Sequence, residues 1–588
     1  MLSDLRARLS PRVLIISAVL LVVVVFGGWT AFNAAKAAIE LDRASGTATT
    51  LQRQLASGDV KGARESAETL QQATSSARSR TGGVDWAVAE RVPYFGDDLR
   101  ALATVSEQLD KVSTDALPTV LKVAGDVSLK TFSPRDGKID LAAVRKVRPA
   151  IEQSSGVLQE AEREIGAIDP DKLVGRVRAP VTQLQDRLEG TNRAAQAADV
   201  ASRLLPDMLG GDGKRRYLLI IQNNAEIRTL GGIPGSIAVL EANKGKVRMT
   251  RQGSSGNVGI AGSPVVRLTR GERTVFSTDI GKDLRDSTSS PDFPRAASVA
   301  DKLVARAFDT RFDGVVSVDP VVLSSLLRYI GAVEVQKIPV TADNVVEGLL
   351  HGVYVAFDKN ILQQDLFFQE TARAIFDRFT SGQGDAVGVV RSLVASATDR
   401  RIMVWSKRPA EERIISTTGV SGELVRGGKA PQIGVYLSDA AGGKMQYYLN
   451  KSTTVRAVRC TDSGRQVIQV VTRLESGAPS RRATIPRSVA GLSPSLRRGD
   501  QRVNVRIFTP EDGTITGLQR DARAQTVVGG TYEGRPVAVV PVRLEPGQST
   551  TIVATVESDA KQTGGPVLTT TPGINLTPTV TRIAGACG

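Results

Sequence analysis

Apolar and polar positions change rhythm three times along this chain of 588 residues. Val13 to Phe32 is a run of about twenty residues without a charge, the length that spans roughly 30 Å of hydrocarbon as a helix. Arg6, Arg8 and Arg12 precede it, and Trp29 and Phe32 stand where interfacial aromatics anchor a span. A cleaved signal peptide has a shorter apolar core, of roughly 7–15 residues, although the Ala-rich segment after Phe32 leaves cleavage open. The pattern predicts a single-pass cell-membrane anchor with a cytoplasmic N-terminus and an extracytoplasmic bulk. From 33 to 205, Ala, Leu, Gln, Glu and Arg dominate and Gly or Pro interrupt only at intervals, which predicts a helical stalk. LQRQLASGDVKGARESAETLQQA reads as two helices broken at Ser57-Gly58-Asp59. Nothing in the stalk asks for chemistry.

Strand-like runs then alternate with helical ones. YLLII, SIAVLEA and GVVSVD are interleaved with the helical patterns of PDFPRAASVADKLVARAF and PVVLSSLLRYI, which argues a sheet covered by helices. Asp319-Pro320 reads as a helix start and Gly331 as its stop. After about residue 445 the period becomes two. Val503, Val505 and Ile507 alternate with polar neighbours, and VVPVRLEPGQSTTIVATVES predicts a hairpin at Pro546-Gly547 within an antiparallel β-sandwich. Its outer face is expected to carry Arg481, Arg482, Arg487, Arg497, Arg498, Arg502 and Arg506, as solvated strand positions or as a surface drawn to anionic polymer or lipid headgroups. The expected fold is multidomain α+β: a tail over 1–12, a transmembrane helix over 13–32, a helical stalk over 33–205, an α/β domain over 206–440 and a β-sandwich over 441–588.

Composition narrows the partners. The formal net charge of +15 favours anionic ligands, while 4% aromatics argues against a stacking surface for single-stranded nucleic acid. With the chain placed outside the cytoplasm, nucleic acid gives way to membrane phosphates and cell-envelope glycans. His351 is the single histidine and sits among apolar residues, which favours a packed side chain over a catalytic one. Cys460 and Cys587 form no CxxC motif; they are two unrelated thiols or, facing an oxidising compartment, a disulfide that pins the tail.

The candidate chemistry gathers in RRYLLIIQNNAEIRTLGGIPGS, where an apolar strand opens into Gln222, Asn223, Asn224, Glu226 and Arg228 and then Gly231-Gly232. A guanidinium beside carboxamides and a glycine turn suits an oxyanion: Arg228 as a bidentate grip, the amides as uncharged donors, the glycines for close backbone approach. Glu226 then orients Arg228 or binds a divalent cation. The alternative is a polar knot that fixes the strand end, with Glu226 paired to Arg228. The stretch is neither a P-loop nor a dinucleotide fingerprint. Arg285, Asp286 and Asp292, near Ser289 and Ser290, complete the phosphate or pyrophosphate candidates, and Asp279, Asp286 or Asp292 stands as a source of a further carboxylate.

RRYLLIIQNNAEIRTLGGIPGSIAVL, with SSPDFPRAASVADKL, FDGVVSVDPVVLSSLLRYIGAVEV and GVYLSDAAGGKMQYYLN, resembles the family catalogued as domain of unknown function 4012. WAVAERVPYFGDDLRAL is similar to that family's helical lead-in. The resemblance implies an actinobacterial-type envelope protein associated with polysaccharide genes, without an agreed activity. A fainter resemblance to the LytR-CpsA-Psr phosphotransferases implies a central domain of that kind and makes Arg228 a pyrophosphate-binding arginine. That family has an acidic residue directly after the arginine, where this chain has Thr229. Two functions are therefore expected. One is binding of phosphate-bearing or lipid-linked glycan during envelope polysaccharide assembly. The other is a Mg2+-assisted phosphotransferase moving polyprenyl-pyrophosphate-linked glycan to the cell wall.

Overall fold

The structure, a computed structural model, describes residues 11–57, 59–126, 134, 137–491, 493–574 and 578–587, without the side chains of 11–24, 56–57 and 123–126. The chain divides into two compact units, Met1–Phe132 with Asp140–Leu205, and Ser133–Ile139 with Pro206–Gly588.

The first unit is helical. Helix Pro11–Ser57 is followed directly by Val60–Thr81, whose start is capped by the Asp59 carboxylate accepting from the Gly62 amide. Small side chains bring the two helices together: Ala37, Ala44, Ala63, Ala67, Ala73 and Ala77 are all buried. Among the described residues no helix is long and apolar enough to cross a membrane. That corrects the transmembrane helix expected over 13–32 and the single-pass anchor, on which the cytoplasmic tail and the extracytoplasmic placement rested. From Val25 on, the first helix buries Thr30, Asn33, Ala37, Ala44 and Leu51 rather than a broad apolar face, and Lys36, Glu40, Asp42 and Arg43 follow Phe32 within a few turns. Residues 1–10 of the expected tail, and the side chains of 11–24 in the expected span, lie outside the described residues.

The second unit contains three large sheets. The first is built from β1 (Arg215–Asn223), β2 (Ile233–Asn243), β3 (Lys246–Ser254), β4 (Gly314–Val318) and β5 (Met403–Ser406), in the order β3-β2-β1-β4-β5. Only β1 and β4 run parallel. The chain passes between them through helix Phe293–Phe308, whose buried Ala296, Ala297, Ala300, Leu303 and Val304 join Leu218, Ile220 and Val315 of the strands in one core. Asp319 caps helix Pro320–Ile330 by accepting from the Val322 amide, and Gly331 ends that helix at φ +84°.

The other two sheets face each other as a sandwich. They are formed by β6 (Gln432–Asp439), β7 (Leu449–Cys460), β8 (Gln466–Ser476), β9 (Gln501–Phe508), β10 (Thr514–Arg520), β11 (Arg523–Ala524), β12 (Gly529–Tyr532), β13 (Arg535–Leu544), β14 (Ser549–Glu557), β15 (Val567–Thr570) and β16 (Val580–Arg582). One layer runs β11-β10-β14-β8-β7 and the other β12-β13-β9-β6-β15-β16. Val503, Val505, Ile507, Val540, Ile552 and Val556 fill the space between them. The hairpin expected at Pro546-Gly547 does not form: β13 pairs with β9 and β12, while β14 pairs with β8 and β10. The turn carries the chain from one layer to the other. Period-two alternation fixes which face of a strand is buried, and both of these strands bury a face; it does not choose the neighbour. Arg506, expected on the outer face, is buried. Cys460 and Cys587 form a disulfide across 127 residues, with Cα atoms 5.0 Å apart.

Candidate functional site

The polar stretch is the connection from β1 to its antiparallel neighbour β2, which pairs Asn223 with Ile233. Its first three polar side chains turn inward, and each has a fixed partner. Gln222 donates to Ser317 Oγ at 2.8 Å and accepts from the Gly232 amide at 2.8 Å. Asn223 donates to the Tyr354 hydroxyl at 2.9 Å and accepts from the Ala225 amide. Asn224 donates to Asp319 Oδ2 at 3.2 Å, and the same oxygen accepts from Arg401 at 2.6 Å. The glycines serve this fold-back. A Cβ on Gly232 would lie 2.1 Å from the Asn223 carbonyl oxygen, and the Gly231 amide donates to the Arg228 carbonyl. Both glycine amides are thus used within the turn.

Glu226 and Arg228 behave differently. They do not pair with each other. Glu226 meets Lys444 at 3.0 Å, and the Lys444 ammonium stands 4.5 Å from the Tyr354 ring. Arg228 Nε donates to Asp286 Oδ1 at 3.0 Å, and its Nη1 donates to the carbonyls of Ile227 and, at 3.5 Å, Asp439. Both side chains keep a modest opening to solvent, 19% for Glu226 and 15% for Arg228. Asp286 lies on the 3-10 turn Leu284–Ser289, beside Arg285, which forks onto Asp283 at 2.6 Å. The hydrogen bond to Asp283 raises the Arg285 pKa against the desolvation that lowers it.

The sandwich supplies the other wall. β6 ends at Ser438-Asp439, and the Asp439 amide donates to the Ile227 carbonyl at 2.8 Å. Arg506, on the neighbouring β9, donates through Nη1 to Ser438 Oγ at 2.8 Å and through Nε to the Val275 carbonyl. Among the described residues no carboxylate lies within ion-pair distance of it. Burial, and then the charge of Arg228, push its pKa down to about 10 against the pull of Asp286. Burial also raises the Asp439 pKa, opposed by Arg228 and by the amides of Ala441 and Gly442. Arg228, Arg285, Arg506 and Lys444 therefore share one neighbourhood with Glu226, Asp283, Asp286 and Asp439.

Of the remaining candidates, Asp292 accepts from the Leu424 amide at the start of helix Phe293–Phe308, and burial raises its pKa. Asp279 is exposed and bonds locally to Ser277. Ser290 meets the Tyr532 hydroxyl at 3.0 Å and Ser289 is buried. Asp286 is the carboxylate that reaches Arg228. It does not complete a cation site: among the described residues no group of three or more His, Cys, Asp or Glu side chains is arranged to hold a metal ion. Asp283 and Asp286 are engaged by guanidiniums, so the donor set does not fit Mg2+ as it stands. Concave surfaces of about 580 Å3 around Tyr94 and about 770 Å3 around Glu160 belong to the helical unit and contain none of these residues.

Sequence reasoning missed Asp283, Asp439 and Lys444; it put Arg506 on the correct face of its strand, opposite Val505 and Ile507, but missed that this face is covered and the arginine buried. GVYLSDAAGGK held the signal for two of them, an acid and a lysine flanking a glycine turn after an apolar strand.

No curated protein and no solved structure matches the chain. Nothing in these comparisons supports the fainter resemblance to the LytR-CpsA-Psr phosphotransferases. One family model matches, over less than half of the chain, and it begins just before β1 and ends at Tyr354. Residues 212–354, which hold Arg228, Asp286 and the turn between β1 and β2, belong to the family described as "Protein of unknown function (DUF4012)".

Proposed function

We propose that the protein binds a phosphate-bearing ligand between the β1–β2 connection and the sandwich, gripped by Arg228, Arg285 and Arg506. The observation that carries this reading is Arg506. Its guanidinium is buried, touches only neutral acceptors and lies beside a second guanidinium. A buried cation with no carboxylate in contact is unfavourable, and an anion entering beside it relieves that cost. Arg228 is held on its other side by Asp286, whose carboxylate is 30% exposed and can yield the guanidinium to a phosphate. Phosphate-bearing glycan and anionic lipid headgroups, the two expected ligand classes, present this same chemistry. The glycan class rests on the family resemblance alone.

A phosphotransferase gains in Asp286 the carboxylate that Thr229 denied it. It gains no metal donor set, and no chemical step is derived for it.

Calorimetric titration of the full chain with inorganic pyrophosphate tests the reading. Wild type is expected to bind, and Arg228→Ala to weaken binding roughly 10- to 100-fold, the worth of a charge-assisted hydrogen bond. Arg506→Gln is expected to act in the same direction. Equal affinity in wild type and both variants overturns the assignment. Parallel titrations with anionic-lipid vesicles and with a soluble glycan phosphate separate the two ligand sources.

A further inference from the structure

The lysine that holds Glu226 opens a second, aromatic surface. Lys444 begins the 3-10 turn Met445–Tyr448, and the Tyr447 amide donates back to the Lys444 carbonyl. Facing the turn is the π-helical segment Gly348–Gly352, a geometry found often at functional sites. It carries His351, whose ring stacks on Tyr447 with centroids 4.6 Å apart and an interplanar angle of 16°. Its Nε2 is 2.6 Å from the Tyr448 hydroxyl and its Nδ1 is 3.4 Å from Glu347. Tyr447 and Tyr448 stand edge to face, 5.1 Å apart. Tyr448 packs against the buried cluster around Leu349 and Met445, but the group is not closed: both tyrosines are half-buried and Glu347 is 56% exposed.

We infer that Glu347, His351, Tyr447 and Tyr448 form a pyranose-binding subsite, contiguous through Lys444 with the phosphate site. A sugar ring offers an apolar C–H face to an aromatic ring and hydroxyls to fixed donors and acceptors at its rim. This cluster holds both kinds of group on two short, locally braced turns. The Glu347–His351–Tyr448 chain fixes each polar atom, so hydroxyl recognition needs little reordering on binding. Lys444 belongs to both surfaces. It meets Glu226 at 3.0 Å, and the turn that it opens carries Tyr447. The ligand class is therefore a sugar phosphate. This inference rests on the proposed phosphate site only for the charged end of the ligand.

His351 is the single histidine, so selective labelling of histidine gives one imidazole signal. The full chain would be titrated with inorganic phosphate, a panel of hexose 1-phosphates, the free hexoses and adenosine 5′-monophosphate. A hexose 1-phosphate is expected to bind about tenfold tighter than inorganic phosphate, a margin typical of an aromatic contact, and to shift the imidazole resonances. Tyr447→Ala should remove that margin while leaving the affinity for inorganic phosphate unchanged, and Tyr447→Trp should restore it. If no hexose, free or phosphorylated, moves the imidazole signal, the subsite is overturned, even when phosphate binds. If the nucleotide binds tighter than every hexose phosphate, the surface is a base platform and the inference also fails. Loss of phosphate binding alone, with the imidazole still responding to free hexoses, sinks the phosphate site and leaves the sugar subsite standing.

Discussion

Gln222, Asn223 and Asn224 leave β1 a few residues before Glu226 and Arg228, yet the two groups belong to different worlds. The three amides are buried: Gln222 and Asn224, with Ser317, Asp319 and Arg401, tie the C-terminal ends of the parallel strands β1 and β4 together, and Asn223 is held by Tyr354. Glu226 and Arg228 keep an opening to solvent, and their partners Lys444 and Asp286 come from other segments. The comparison is sharpest between two arginines. Arg401 and Asp319 are each 3% exposed and form a closed pair, whereas Arg228 and Asp286 are 15% and 30% exposed. A closed pair specifies the fold, because removing either member leaves a buried charge alone. A half-open pair can exchange its carboxylate for a ligand at little cost to the fold.

Breaking the closed pair should therefore have the largest effect. Asp319→Ala takes the buried carboxylate away from Arg401, removes the cap from helix Pro320–Ile330 and frees Asn224. A loss of about 3–5 kcal/mol in denaturant unfolding is expected. Arg228→Ala should cost no more than about 1 kcal/mol by the same measurement, since partly exposed pairs contribute little. Equal losses would erase the distinction.

Asp286→Asn sharpens the comparison from the open side. It keeps the side chain's shape but removes the charge that competes for Arg228. Pyrophosphate affinity is expected to rise about tenfold, one charged hydrogen bond's worth, with unfolding stability changed by less than about 1 kcal/mol. A fall in affinity would mean that Asp286 orients Arg228 for the ligand rather than occupying it.

Local chemistry was legible in the sequence wherever one residue dictates backbone geometry. Asp319-Pro320 and Gly331 bound their helix, and Gly232 turns the chain where no side chain fits. Partner choice was not legible. Alternation in RVNVRIF names an inward face, yet Arg506 also points into the molecule. The first sheet's domain supplies the Val275 carbonyl that it reaches and Phe276, whose ring centroid is 5.4 Å away. Glu226 and Arg228 look paired along the chain because they are two apart, but the turn separates them and tertiary partners win, Asp286 for Arg228 and the more distant Lys444 for Glu226. His351 looked packed because its neighbours in sequence are apolar; its neighbours in space are Glu347 and two tyrosines.

A pH measurement probes the closed side again, with a smaller effect. Lys451 on β7 has no ion pair among the described residues, and burial, then the charge of Arg401, push its pKa down to about 8. An unfolded lysine titrates near 10.4, roughly two units higher. Below pH 8 both states hold the proton and the folded state bears the full cost of the buried charge. Between about 8 and 10.4 the folded state has released the proton and the unfolded state has not, so stability rises with pH across that window. Lys451→Met should flatten the rise and stabilise the protein at pH 7 by roughly 1 kcal/mol. An unchanged slope would show that Lys451 is solvated.

The smallest effect belongs to Glu226. Its pair with Lys444 is partly exposed on both sides, so Glu226→Gln should change unfolding stability by only a few tenths of a kcal/mol. It also removes a negative charge from the rim of the phosphate site and frees an ammonium that already stands beside Tyr354. Pyrophosphate should then bind a few-fold tighter, with a steeper dependence on salt as one more cation reaches the ligand. The double variant Glu226→Gln with Lys444→Met distinguishes the two contributions. If the gain disappears, it came from Lys444 and the lysine is a ligand group; if it persists, the carboxylate was repelling the anion directly. No change in either variant would confine the site to the arginines.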